Sequence, residues 1–370
     1  MIGMEVVFIK AFASFLVAAI SVMLYFNLQV EEEEPTLFNE EFHGKQFSTF
    51  YMNYEEEKIE IAMIGDVLLH LPLYNYTSFI PSFSPVQEEL ESIDLLIANQ
   101  ESIPSGRIIK VSGYPNFSSP PHIIKDLKDL GVDILSIANN HTLDQGEKGL
   151  LEAIQQMEKA EIPYFGAYKS VEDKQVDRIF QVDNGSLGLL GYTYGTNAHE
   201  TPVGKDYLVN RIDETRIVKE IKDLKTKVDF VVVSIHWGTE YNLEANDTQK
   251  QLARSIADAG ADIIYGHHPH VIQPYELILS ESGRRTHVFY SLGNFFSGQK
   301  DEYTNIGGIA KIELLKKNIN GEQVVTLENP SFLPTAVVKG EPYTVNFLKD
   351  VESEIGKTDA WVQQHMFGVE

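Results

Sequence analysis

The sequence predicts an α/β fold behind an N-terminal apolar segment. Three observations point there. Short apolar runs alternate with helical stretches along residues 58–310, the pattern of strands buried on both faces. Those runs end, one after another, in carboxylate, amide or imidazole side chains. A run without a single charge, AFASFLVAAISVMLYFNLQV, occupies Ala11 to Val30.

That uncharged run has the roughly 20 residues a bilayer-spanning helix needs at about 1.5 Å each. Lys10 precedes it and Glu31–Glu34 follow, which predicts an N-inside, C-outside orientation. The expectation is a single-pass anchor over 1–30 in the cell membrane, with the C-terminal domain extracellular. A cleaved signal peptide is the rival reading, but NLQVEEEE offers no small-x-small cleavage site. A buried core helix is a third reading, disfavoured by the acidic stretch that follows. Residues 31–57 read as an acidic linker: residues 31–60 hold ten Glu against two Lys, with Pro35 and few aliphatics.

The folded part begins near Lys58. KIEIAMIGD is an aliphatic run ending in Gly65-Asp66, a buried strand. Three later stretches share one plan. ELESIDLLIANQES, LKDLGVDILSIANNH and SIADAGADIIYGHHPH each have a helix end, an aspartate (Asp94, Asp133, Asp262), an apolar run and then polar residues. Gly131 and Gly260 stand just past the helix ends, where a left-handed backbone is wanted. VDFVVVSIHWGTE ends a further strand at His236, HVFYSLGNFFSG one at Gly293-Asn294, and SLGLLGYTYG one at Tyr194-Gly195. Helices are predicted over 121–130, 146–159, 213–226 and 247–258. Residues 311–370 complete the domain with a strand pair turning at NING and one short terminal helix.

Composition limits the chemistry. With no cysteine among 370 residues, disulfides, thiolate zinc sites, cysteine nucleophiles and lipid attachment at a cysteine are excluded. Any metal must be held by His, Asp, Glu and Asn. A formal net charge of −24 argues against a nucleic-acid partner. It also disfavours a polyanionic substrate unless cations or a local basic patch offset the field.

In open α/β sheets the ligand crevice lies beyond the carboxyl ends of the strands. Here those ends carry Asp66, then Asn99 and Glu101, then Asn140 and His141, then His236, then His268 and His270. A lone Asp after a strand is usually a turn or cap residue, and a lone His usually a hydrogen-bonded rim residue. Five such ends at one edge point to a divalent metal; imidazole suits Zn, Fe and Mn, and carboxylate or amide oxygen suits Mn and Mg. His268 and His270, two apart, are expected to project to one side of an extended segment. Trp237, Tyr241, Tyr265 and Tyr275 lie beside these motifs and read as rim packing, with a polymer groove as the alternative. SGYPNFSSPP (112–121) reads as a loop over the site.

The set MIGD, NQES, SIANNHTLDQG, SIHWGTEY, DAGADIIYGHHPHVIQPYE and FYSLGNFF resembles the CapA/PgsA capsule-synthesis family over roughly residues 58–300. That family is the membrane-anchored component of poly-γ-glutamate biosynthesis and is related to calcineurin-like metallophosphatases. The resemblance implies a four-layer α/β sandwich and a site for divalent metal (Mn, Zn, Fe or Mg). By position it implies Asp66, Glu101, Asn140, His236, His268 and His270 as metal ligands, with Glu101 as the bridging carboxylate and His141 as the group that protonates a leaving group. His267 is a substitute for His268. Asn99, Asp144, Glu240 and Asn294 are supporting or alternate ligands, with Asp144 orienting the Asn140/His141 turn and Glu240 holding His236. Two departures alter metal contacts: GDVLLH puts His70 four residues past Asp66, and NQES replaces an Asp-containing motif. The implied role is metal-assisted hydrolysis or transfer on poly-γ-glutamate or a related anionic polymer, alongside other membrane subunits of a capsule synthase. A generic phosphoesterase and a non-catalytic subunit with a vestigial site are the rivals.

Overall fold

Residues 56–182, 185–319 and 322–368 are described by the structure, a computed structural model. The expected anchor over 1–30, nearly all of the expected linker over 31–57, and residues 320–321 of the NING turn lie outside the described residues. Among the described residues no helix is long and apolar enough to cross a membrane.

Two mixed sheets form the domain. The first is built on β1 (Glu56–Leu68), β2 (Leu95–Gln100), β3 (Val132–Ser136) and β4 (Tyr164–Phe165), all parallel in sequence order. The second contains β5 (Ile179–Val182), β6 (Gly185–Thr193), β7 (Phe230–His236), β8 (Ile263–His267), β9 (Ile272–Leu279) and β10 (Arg285–Leu292), in the order β5-β6-β7-β8-β10-β9. Its four central strands are parallel and its two edges antiparallel. The chain then returns to the first sheet through β11 (Asn294–Ser297), which lies parallel to β1. β12 (Ile306–Ile319), β13 (Glu322–Val338) and β14 (Thr344–Phe347) extend that sheet antiparallel beyond β1. The expected C-terminal strand pair is therefore part of the first sheet, and β12 runs unbroken through position 310.

Alternation of side chains along β1 decides the layering. Ile61 and Met63 join a core shared with Leu189, Val232, Ile263 and Tyr265 of the second sheet. Ala62 and Ile64 face the other way, onto Ile123, Leu127, Leu150 and Ile154. Those four belong to helices that cover the outer face of the first sheet. The helices, in chain order, are α1 (Ile80–Phe83), α2 (Gln87–Glu91), α3 (His122–Asp129), α4 (Gly146–Lys159), α5 (Val171–Gln175), α6 (Glu214–Lys225), α7 (Asp247–Ala259), α8 (Leu348–Ile355) and α9 (Asp359–Phe367). α6 and α7 cover the outer face of the second sheet through Ile217, Ile221, Ala253 and Ile256. Helix, sheet, sheet and helix thus stack in that order. The four long helices fall within about a residue of their expected ranges. The C-terminal segment differs: Gly356 at φ 76 ends α8, so two helices stand where one was expected. Their Leu348, Val362 and Met366 join the inter-sheet core.

The aspartates repeated in the helix–strand units have a structural job. Asp94 accepts the Glu60 backbone N–H at 2.8 Å, Asp133 that of Leu96 at 2.8 Å, and Asp262 that of Val231 at 2.7 Å. Asp133 and Asp262 satisfy donors near the amino ends of β2 and β7, and Asp94 a donor of β1 just before β2 begins to pair with it. The echo seen in the sequence marks the amino ends of strands, and chemistry gathers at the opposite ends. Gly131 and Gly260, at φ 94 and 111, terminate α3 and α7 as expected.

Candidate metal centre

Asp66 is fully buried where β1 meets β11, in register with Asn294. Its Oδ1 accepts from Asn99 Nδ2 at 2.8 Å and from His267 Nδ1 at 2.9 Å. Its Oδ2 accepts from His270 Nδ1 at 3.1 Å. Burial alone would raise its pKa; the hydrogen bonds from His267 and His270 outweigh that and hold it well below the usual carboxylate range. Asn294 Oδ1 lies 3.1 Å from the same His270 nitrogen.

Glu101 follows directly after β2 and is also fully buried. Its Oε1 lies 3.4 Å from His236 Nε2 and 3.7 Å from His270 Nε2, yet neither carboxylate oxygen has a hydrogen-bond partner among the described residues. Burial first, and then the charges of Asp66 and Glu240, push its pKa well up. His236 closes β7, and its Nε2 sits 2.9 Å from Asn140 Oδ1 while its Nδ1 has no partner among the described residues. His268 Nδ1 is unpartnered too. Burial and neighbouring imidazoles push His236 well down and His268 to about 3, so both rings are neutral and offer lone pairs at physiological pH.

These donors fall into overlapping sets. Glu101, His236 and His268 offer atoms within 4.8 Å of one another; so do Asp66, Glu101 and His270, and so do Glu240, His268 and His270. Glu101 belongs to the first two sets and stands between them. Asp66 and Glu101 come from the first sheet, and the imidazoles and Glu240 from the second. Four orphaned buried atoms (both Glu101 oxygens, His236 Nδ1 and His268 Nδ1) are what a carboxylate–imidazole set presents to a divalent cation.

Asn140 and His141 lie in the loop after β3. Asn139 fixes that turn: its Nδ2 donates to Gln100 O at 3.0 Å and its Oδ1 accepts from the His141 backbone at 3.0 Å. His141 Nδ1 donates to Asp144 Oδ2 at 2.7 Å, and the same oxygen accepts the Phe117 backbone N–H at 2.8 Å. Phe117 packs edge-on against the His141 ring, 4.7 Å between centroids. His141 opens onto a cleft of about 530 Å³ walled by His70, Tyr114, Phe117, Tyr241 and His270. The 112–121 loop therefore borders the site through Tyr114 and Phe117.

Several expectations need correction. His268 and His270 do not sit on an extended segment: they occupy a bend after β8 with φ 97 and 59, and Pro269 between them. His267 does not substitute for His268. Its Nδ1 is spent on Asp66 and its Nε2 lies 3.5 Å from Met63 Sδ, inside the inter-sheet core. Glu240 is exposed and grouped with His268 and His270, and it makes no hydrogen bond to His236. His70 lies on the cleft wall, 3.1 Å from Leu68 O and outside the donor sets; burial pushes it down to about 4. Trp237 and Tyr265 are core and Tyr275 packs against it, whereas Tyr241 lines the cleft. Two residues carried no motif signal. The Tyr194 ring lies tilted against His268, 4.6 Å between centroids, and Asn197 reaches within 3.5 Å of both Asn140 and His141.

Comparison with known proteins places this chain in a family. The "PGA biosynthesis protein CapA" of Bacillus subtilis (strain 168) is 29% identical over 310 residues, covering 80% of this chain and 78% of that protein. The "Capsule biosynthesis protein CapA" of Bacillus anthracis is 29% identical over 313 residues, covering 80% and 72%. Among solved structures, the NAD nucleotidase of Haemophilus influenzae aligns with TM-score 0.48 at 14% identity, covering 81% of this chain and 62% of that one. A 5'-nucleotidase precursor from Thermus thermophilus aligns with TM-score 0.44 at 12% identity, covering 84% and 57%. Structural likeness this low carries no argument about activity. The family model described as bacterial capsule synthesis protein PGA_cap matches residues 60–299, and the chain belongs to that family.

Proposed function

We propose that this protein binds divalent cations at Asp66, Glu101, Asn140, His236, His268 and His270, and uses them for hydrolysis or transfer on an anionic glutamate polymer during capsule synthesis. The observation that carries the proposal is Glu101: a buried carboxylate between two donor sets, with neither oxygen hydrogen-bonded among the described residues. A carboxylate in that position is expensive unless a cation or a proton answers it. A divalent cation (Mn, Zn, Fe or Mg) held by these residues would supply Lewis-acid chemistry, activating water and screening charge on the attacked group. The chain's own residues do the rest. Asp144 holds the His141 ring through Nδ1, and Nε2, 3.4 Å from Asn140 Nδ2, is the nitrogen that would protonate a leaving group. Asn294 and Asn99 steady the His270–Asp66 pair. A metallophosphatase-type ancestry of the four-layer stack suits this chemistry.

The polymer is inferred from the relatives' names. The setting is inferred from the uncharged run Ala11–Val30: a single-pass anchor, an extracellular catalytic domain, and neighbouring membrane subunits of a synthase complex. The test has three arms. Elemental analysis of residues 31–370 reads the cation, with Glu101→Gln expected to lose it. A screen of γ-linked glutamate oligomers and simple phosphoesters reads turnover; phosphoester cleavage alone would favour a generic phosphoesterase. In a capsule-forming host, His141→Ala is expected to abolish correct polymer output. Unchanged output, with loss only on deleting residues 1–30, would identify a non-catalytic subunit.

A further inference from the structure

A second hollow of about 370 Å³ adjoins the cleft. It is lined by Lys300, Lys339, Lys357 and Tyr303, together with Asp301 and Glu302. Gln299, Lys300 and Asp301 line both hollows and form a shared wall. In a chain with 54 acidic and 30 basic residues, three lysines gathered from three separate stretches run against the overall charge. Several lysines elsewhere in the fold are paired with carboxylates, as Lys58, Lys219 and Lys316 are. These three form no ion pair with any carboxylate among the described residues.

One of the three is held in place. Lys357 Nζ lies 4.9 Å from the centre of the Tyr303 ring and 4.6 Å from that of Trp361, and the two rings stack 5.5 Å apart. Cation–π contact on two rings fixes the ammonium and removes part of the ordering cost of gripping an anion. The wall is tied to the metal centre as well. Asn294, beside His270, donates through Nδ2 to Gln299 Oε1 at 2.7 Å and to Thr304 O at 2.8 Å.

We propose that this hollow is an anion subsite that grips the carboxylates of a glutamate polymer while another stretch of the same polymer lies in the cleft beside His141. The inference rests on the polymer reading above and deepens it. Asp301 and Glu302 keep the field of the hollow modest, so a single small anion gains little. A polymer already seated in the cleft presents its next carboxylates at high effective concentration, so contacts that are weak alone add up.

The experiment uses full-length protein in detergent, labelled with 5-fluorotryptophan. The chain has two tryptophans, Trp237 in a buried core and Trp361 at the hollow, so the two ¹⁹F resonances separate the sites without substitution. The probes are γ-linked glutamate dimer and decamer, with citrate as a small polycarboxylate. The decamer is expected to shift the Trp361 resonance and to bind about tenfold or more tighter than the dimer. Lys339→Gln, and Lys339→Gln with Lys357→Gln, are expected to remove that gain while bound metal and cleavage of a small ester stay unchanged. Decamer affinity equal in parent and variants would overturn the subsite and leave the polymer reading standing. A Lys339-dependent Trp361 shift with citrate but no binding of either oligomer would support the anion site and sink the polymer reading. No Trp361 response to any probe overturns the subsite.

Discussion

Glu101 poses the sharpest question at the scale of single residues. Its folded-state pKa is raised by burial and by Asp66, so in cation-free protein its carboxyl favours the fold only while protonated. That contribution is full below the unfolded value of about 4.3 and is lost as pH rises toward the raised folded value. Glu101→Gln removes the titration. In chelator-treated protein, melts from pH 4 to 8 are expected to show the variant gaining on the parent as pH rises, by roughly 1–3 kcal/mol. A gap that stays flat with pH would contradict the assignment. His141 is tested by its leaving group. His141→Ala should slow cleavage of esters with poor leaving groups by about 10²–10⁴-fold and affect a nitrophenolate ester far less. Equal losses on both would mean that His141 does not donate the proton. Residue types at strand ends announced most of this site. What they could not announce was conformation: the bend at His268–His270 depends on left-handed backbone at two non-glycine residues. Gly238, at φ 91, likewise turns the chain so that Glu240 meets His268 and His270 rather than His236.

The elements were legible because their signals are periodic. Buried parallel strands read as short aliphatic runs, and the long helices carry apolar stripes and glycine stops. The repeated aspartates were visible, but their partners were not, since each bonds to a strand that is distant in sequence. Tyr194 and Asn197 were missed for a similar reason: they enter the site from the loop after β6 and belong to no spaced motif. Close approach of elements explains the glycine of YGHH. A Cβ on Gly266 would lie 2.0 Å from Tyr290 O and 2.6 Å from Trp237 Nε1, both held by a mutual hydrogen bond. Gly266→Ala is therefore expected to cost about 1–3 kcal/mol or more in a denaturant melt, because neither neighbour can yield freely. A melt within about 0.5 kcal/mol of the parent, the size of ordinary surface changes, would show that β8 and β10 can part there.

At the scale of the whole molecule, the site joins two sheets whose strands are far apart along the chain. Asp66 and His267 meet although they stand 201 positions apart. Cations that bind only the folded form should add stability by mass action, about 2.7 kcal/mol at a concentration one hundred times the dissociation constant. Removing them with chelator is expected to lower the melting temperature, and adding back the right ion to restore it in a concentration-dependent way. A melt indifferent to chelator would exclude tight binding in the native state. Asp66 and Glu101 stand on one sheet and the imidazoles on the other, so an ion bound at this seam would be a rivet through two plates. In surroundings starved of the ion, the polypeptide would work loose and fall to proteases, so scarcity would be felt as disappearance of the molecule before it was felt as idleness.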